Sequence, residues 1–112
     1  MYIIKIAEES FDKIKSHEKT IEVGILEGEL SRIDVGASLL FKKEPDLIEG
    51  VVAKVIDVKV YSSFLEMAKV LSIKAMGNDG MNAQEVADFY TAKFTSDKEK
   101  NKGVVAVKFE VL

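Results

Sequence analysis

Apolar side chains recur at every second residue in several stretches of this chain. That period fits extended strands whose alternate side chains leave on opposite faces. Ile21, Val23 and Ile25 alternate with Thr20, Glu22 and Gly24, and Val105, Val107, Phe109 and Val111 alternate with Ala106, Lys108 and Glu110. Val51 to Tyr61 is the longest β-rich stretch, with Val52, Ile56, Val58 and Val60 in one phase and Asp57, Lys59 and Tyr61 in the other. Lys54 falls in the apolar phase. An unpaired ammonium is costly to bury, so Lys54 is expected at a bulge or strand end. Tyr2 to Ile6 and Ser38 to Lys42 are two shorter apolar runs, the second following the turn residues Asp34-Val35-Gly36.

Between these runs the period changes to that of helices. Glu8 to Lys15 is predicted helical because Phe11 and Ile14 share a face while Glu8 and Glu9 suit its positive end. Ser63 and Glu66 have capping-box spacing ahead of the stripe Phe64, Met67, Ala68 and Leu71. Asn82 with Glu85 repeats that device, and Val86, Phe89, Tyr90 and Phe94 are the expected buried face of another helix. Met76 to Gly80 reads as a loop, and Lys98 to Lys102 as a solvated basic one. One proline and seven scattered glycines leave no linker, so residues 1–112 read as one unit. The expected fold class is α+β: about five strands with two to three helices. A sheet with a one-sided apolar pattern must cover that face, and we expect it to curl into a small mixed barrel whose ends leave a cleft.

Composition removes several chemistries. With no cysteine and a single histidine, His17, there is no basis for a disulfide, a thiolate nucleophile or a histidine-cysteine metal site. His17 itself reads as an exposed turn residue. No metal or cofactor is expected. Gly24 and Gly28 are not followed by Lys-Ser/Thr, so nucleoside triphosphate chemistry is not expected either. Sixteen basic residues stand against nineteen acidic ones, so no overall positive field draws in nucleic acid, and DNA is not an expected partner. The Met1 to Ile6 segment is too short for a signal peptide and no apolar run reaches membrane-spanning length, which points to the cytoplasm and away from a membrane.

The remaining polar constellation is Lys19, Thr20 and Glu22, an ammonium, a hydroxyl and a carboxylate within four residues. Aimed into a concave surface, they suit a small polar ligand such as a base with its ribose. Against this stands the plain role of such residues, the solvated face of a half-buried strand. Tyr61 and Tyr90 are candidates to stack on a base, whereas Phe11, Phe64, Phe89 and Phe109 fall in apolar phases and read as core.

The order of motifs resembles the ASCH domain family of the PUA-like superfamily. A helix precedes Lys19-Thr20-Ile21-Glu22-Val23; Ile33-Asp34-Val35-Gly36 follows with Phe41, then Val60 to Glu66, and finally Lys102 to Val107. The resemblance spans nearly the whole chain. It implies a small β-barrel with helices at its ends and a cleft for RNA or a modified nucleoside, lined here by Lys19, Thr20, Glu22, Tyr61 and Tyr90. Some small members are similar to amidohydrolases that remove the acetyl group of acetylcytidine with a Lys, a Thr and a Glu. That Lys falls on Lys19, the Thr on Glu22 and the acid near Asp79, so the alternative catalytic set is Lys19, Glu22 and Asp79 with water as nucleophile. Gly24 stands where many members carry Arg, which removes a planar fork for phosphate. A third reading, from another class, is a protein-interaction or regulatory module.

Overall fold

Each of the five alternating or apolar runs forms a strand. The computed structural model describes residues 1–112. Its order is β1 (Tyr2–Ile6), α1 (Glu8–Lys15), β2 (Ile21–Ile25), a 3-10 turn (Gly28–Ser31), β3 (Ser38–Lys43), β4 (Gly50–Tyr61), α2 (Phe64–Val70), α3 (Ala83–Phe94), α4 (Ser96–Lys102) and β5 (Val104–Val111). The helix starts follow their caps. Asn82 and Glu85 form a reciprocal capping box on α3, with bonds of 2.9 and 3.1 Å. On α2 only half of the box forms: Ser63 Oγ accepts from the Glu66 N–H at 3.1 Å, while the Glu66 carboxylate turns to Lys69 at 3.6 Å.

The strands make one sheet in the order β1-β3-β4-β5-β2, parallel between β1 and β3 and antiparallel elsewhere. β1 and β2 are therefore its edges and do not pair with each other, so the curled sheet is a half-barrel with an open seam. Two apolar cores lie on its two faces. Inside the curl, Phe11 and Ile14 from α1 meet Leu39, Phe41, Val55, Val107 and Phe109, with the Phe41 and Phe109 rings 4.8 Å apart. Outside it, Ile21, Val23 and Ile25 of β2 with Val104 and Ala106 of β5 pack under α2 and α3. Residues 104 to 107 of β5 are consequently buried on both faces.

Three sequence expectations change. There are four helices rather than two or three, because the basic run at Lys98 to Lys102 lies within α4. Glu99 ties that helix down: its carboxylate accepts from the Phe64 N–H at 2.9 Å and from Thr91 Oγ1 at 2.7 Å. In β4 the inward phase is Ala53 and Val55, whereas Val52, Ile56 and Val60 are exposed. A bulge between Val55 and Asp57 shifts the register there, and Lys54 lies two residues before it on the outer face. Phe89, expected in the core, is 46% exposed. The α3 stripe that packs inward is Val86, Ala87 and Tyr90, with Phe94 against its edge.

Candidate functional site

The site begins with the way α1 ends. His17 adopts φ 68°, a left-handed conformation that favours glycine, and the reversed chain brings the Lys19 N–H back to the Lys13 carbonyl at 3.0 Å. β2 then starts with the Thr20 and Ile21 N–H groups both donating to the Ala75 carbonyl of the α2–α3 loop. Since the odd residues of β2 pack under α2 and α3, Glu22 pairs with Val107 on the inner side of the curl. A polar residue that alternation assigns to a solvated face is thereby turned inward.

Lys19 is the one polar residue among the 25 that are buried. Its ammonium lies 3.5 Å from Glu22 Oε2, with 7% and 12% of the two side chains exposed. Glu22 Oε1 accepts the Val23 N–H at 3.2 Å, while Oε2 is buried and accepts no hydrogen bond. Gly77 covers the aliphatic stem of Lys19: a Cβ there would stand 3.0 Å from Lys19 Cδ, and φ of +88° already disfavours a side chain. Lys13 Nζ donates to the Gly77 carbonyl at 2.8 Å and so pins this loop over the pair.

Two cavities meet at the pair. One, of about 280 Å³, is polar and runs beneath the α2–α3 loop past Asn78, Asp79 and Tyr90. The other, of about 590 Å³, occupies the open seam between β1 and β2 and is mostly apolar, with Ile4, Ile6, Leu30, Ile33 and Phe94 in its walls. Ser10, Lys19, Glu22 and Lys93 line both. The structure thus brings together Lys19, Glu22, Asp79 and Tyr90 of the residues singled out from sequence. Thr20 lines neither cavity, because the opening turn of β2 commits it to backbone pairing with Ala75 and Phe109. Tyr61 lines neither, since it packs against the helix-side core at the end of β4.

Ser10, Asn78, Phe89 and Lys93 were not legible as cleft residues. The one available signal is that Phe89 and Lys93 share a helix face at i, i+4 spacing beside the apolar stripe. Phe89 contacts Tyr90 edge to face at 5.1 Å and leaves its own ring exposed at the polar cavity.

Tyr90 is held by Asn78 Nδ2, which donates to its hydroxyl at 2.7 Å and leaves the phenolic proton for an acceptor in the cavity. Burial pushes this hydroxyl up to about 12, the Asn78 hydrogen bond opposes the rise and the Glu22 carboxylate adds to it. The phenol is therefore a neutral donor at physiological pH. Because its folded value lies above the ordinary value of 10, the stability it contributes is complete below pH 10 and is lost as pH rises from 10 through about 12. An alkaline ultraviolet titration is expected to show a phenol ionising near 12 that vanishes in Tyr90→Phe. A Tyr90→Phe difference confined to the range around pH 10 would place the hydroxyl in solvent.

With this geometry in view, comparison with known proteins identifies the class. The family model of the ASCH domain matches residues 4–112, and the chain belongs to that family, with its PUA-like fold. The structure is similar to the crystal structure of hypothetical protein PH0355, at 26% identity over 99% of this chain and 98% of that one, with a TM-score of 0.84. It is also similar to the solution NMR structure of protein PF0455 from Pyrococcus furiosus, at 26% identity over 99% and 96% of the two chains, with a TM-score of 0.71. No curated protein matches the chain. No helix is long and apolar enough to cross a membrane.

Proposed function

We propose that the polar cavity binds a single nucleobase, presented by a nucleoside, a modified nucleoside or an unpaired nucleotide of RNA. The observation that carries this reading is the Lys19–Glu22 pair, which lines one cavity together with Tyr90 and whose Oε2 oxygen accepts no hydrogen bond. A carboxylate oxygen in that state suits the amino group of a base. The Lys19 ammonium and the phenolic proton then suit a ring nitrogen and a carbonyl, and the exposed face of Phe89 suits the base plane. Thr20 and Tyr61, which line neither cavity, take no part in this arrangement.

Charge limits what else the ligand carries. Lys5, Lys13, Lys19 and Lys93 line the cleft, against Glu9, Glu22, Glu29, Glu44 and Asp79. Such a mixture favours one base over a run of phosphates. A ligand of this kind fits a protein working in the cytoplasm. Calorimetric titration with the four ribonucleosides and with short unpaired oligoribonucleotides tests the reading. Cytidine or adenosine, which offer an amino group, are expected to bind about tenfold or more tighter than uridine. The log-log salt slope with RNA is expected to be no steeper than about −1. Indifference to every base would reject it.

A second reading, deacylation of an acetylated cytidine, is favoured by one observation: Asp79 lines the same cavity as Lys19 and Glu22. Water activated by a carboxylate would attack the acyl carbon, with the Lys19 ammonium facing the developing oxyanion; the acyl C–N bond then breaks as the carboxylate passes the water's proton to the departing amino nitrogen, giving acetate and cytidine. Release of cytidine from acetylcytidine, abolished in Lys19→Ala, is the result this reading requires.

A further inference from the structure

We propose that the free edge of β1 in the seam takes a strand from another protein, an extended segment with apolar residues at alternate positions and acidic residues between them. This inference stands apart from the nucleobase reading of the polar cavity. Both β1 and β2 are edges of the sheet, but only β1 is open. The Glu44 N–H donates to the Ile6 carbonyl at 2.9 Å, which fixes the phase of the parallel ladder. Ile4 and Ile6 therefore bond to β3, and Ile3 and Lys5, which line the seam, turn their N–H and C=O groups away from β3. On β2 the outward groups belong to Ile21, Val23 and Ile25, since Thr20 and Leu26 bond across to the β5 side. Three of these groups are already occupied. The Ile21 N–H donates to the Ala75 carbonyl at 3.0 Å, Glu22 Oε1 accepts the Val23 N–H at 3.2 Å, and the Ile25 carbonyl accepts the Glu27 N–H at 2.8 Å.

Backbone donors and acceptors that repeat at every second residue are matched by an extended polypeptide, which carries the same row, and a nucleic acid carries none. The side chains define which polypeptide fits. Ile4 and Ile6 pack toward the inner core, and with Leu30 and Ile33 they line an apolar space of about 590 Å³ beside the free edge. Residues of an added strand that share their face enter this space. On the outer face Ile3 is half exposed, and Lys5 stands in register with Lys42 of β3. Neither lysine belongs to any ion pair of the chain. Neighbouring ammoniums on one face oppose each other, so an acid on the added strand beside Lys5 relieves them. A second copy of β1 does not meet this description, because Tyr2–Ile6 carries a lysine and no acid.

Titration of the intact chain with a blocked heptapeptide of alternating valine and glutamate, followed by amide exchange in NMR spectra, tests the inference. At saturation the Ile3 and Lys5 amides are expected to exchange about tenfold more slowly or less, while Ile4 and Ile6, already bonded to β3, change little. The same peptide with lysine in place of glutamate is expected to bind about threefold or more weaker, and Lys5→Glu to reverse that order. Ile3→Pro removes one outward N–H without touching the β3 ladder and is expected to abolish binding. If that variant does not fold, N-methylation of the peptide serves on the wild-type chain: one alternate set of amides blocks binding when methylated and the other set is tolerated. Unprotected Ile3 and Lys5 amides at millimolar peptide would overturn the inference. So would protection produced instead by an unpaired oligoribonucleotide, or by concentrating the chain alone, which would assign the edge to nucleic acid or to a second copy. None of these results depends on whether a nucleoside binds the polar cavity.

Discussion

Glu22→Ala is expected to destabilise the protein by about 3–5 kcal/mol, because it leaves the Lys19 ammonium buried with no counter-charge. Lys19 has 7% of its side chain exposed, and its only ion pair is with Glu22 at 3.5 Å. The same change also frees the Val23 N–H that Glu22 Oε1 accepts. Against a typical domain stability of about 5–15 kcal/mol, such a loss takes away a large share of the total. The double change Lys19→Met with Glu22→Leu is expected to fold at least as well as wild type, since replacing both members of a buried pair by apolar groups removes the desolvation cost together with the attraction. Denaturant unfolding of the three proteins checks this. A Glu22→Ala loss within about 0.5 kcal/mol of zero would mean that the pair behaves as a surface contact.

Phe64→Ala carries the other large expected effect, about 3–5 kcal/mol. The ring is fully buried where α2 meets α3, stacked 5.4 Å from Tyr90 and 5.8 Å from Phe94. Its N–H also donates to the Glu99 carboxylate that anchors α4. Truncation therefore opens a void directly against the tyrosine whose hydroxyl faces the polar cavity, so the variant is expected to lose ligand affinity as well as stability. Chemical unfolding gives the first quantity and calorimetry on the folded fraction the second. A stability loss under about 1 kcal/mol would show that the helices repack around the missing ring.

Much of the architecture is written locally. α1 and α3 follow from acidic first turns, a capping box and apolar stripes, and β2 and β5 follow from period-two alternation, all of which depend on neighbours within a few residues. What escapes a local reading depends on distant partners. α4 is a run of mostly charged residues that is held by Glu99 bonding to Phe64, 35 positions away. The phase of β4 is misread because a one-residue bulge at Ile56 resets which side chains face inward. The candidate site divides in the same way. Lys19 and Glu22 are recognisable as polar residues next to a strand, but their burial arises because α2 and α3 cover the other face of β2, turning an apparent solvent side toward the inside of the curl. Phe89 reads as core by hydrophobicity alone, and only the position of the α2–α3 loop opposite α3 leaves it at the rim of a cavity.

The pairing of a base amino group with Glu22 is tested most directly by titrating cytidine into the wild-type protein and into Glu22→Gln. This isosteric change keeps a carbonyl acceptor but replaces the charged oxygen by an amide donor. Cytidine is expected to bind the wild-type protein and to lose at least tenfold in affinity in the variant, while uridine, whose carbonyl suits the new donor, loses less or gains. Equal cytidine affinities for the two folded proteins would contradict the assignment of Glu22 as the group that reads the base.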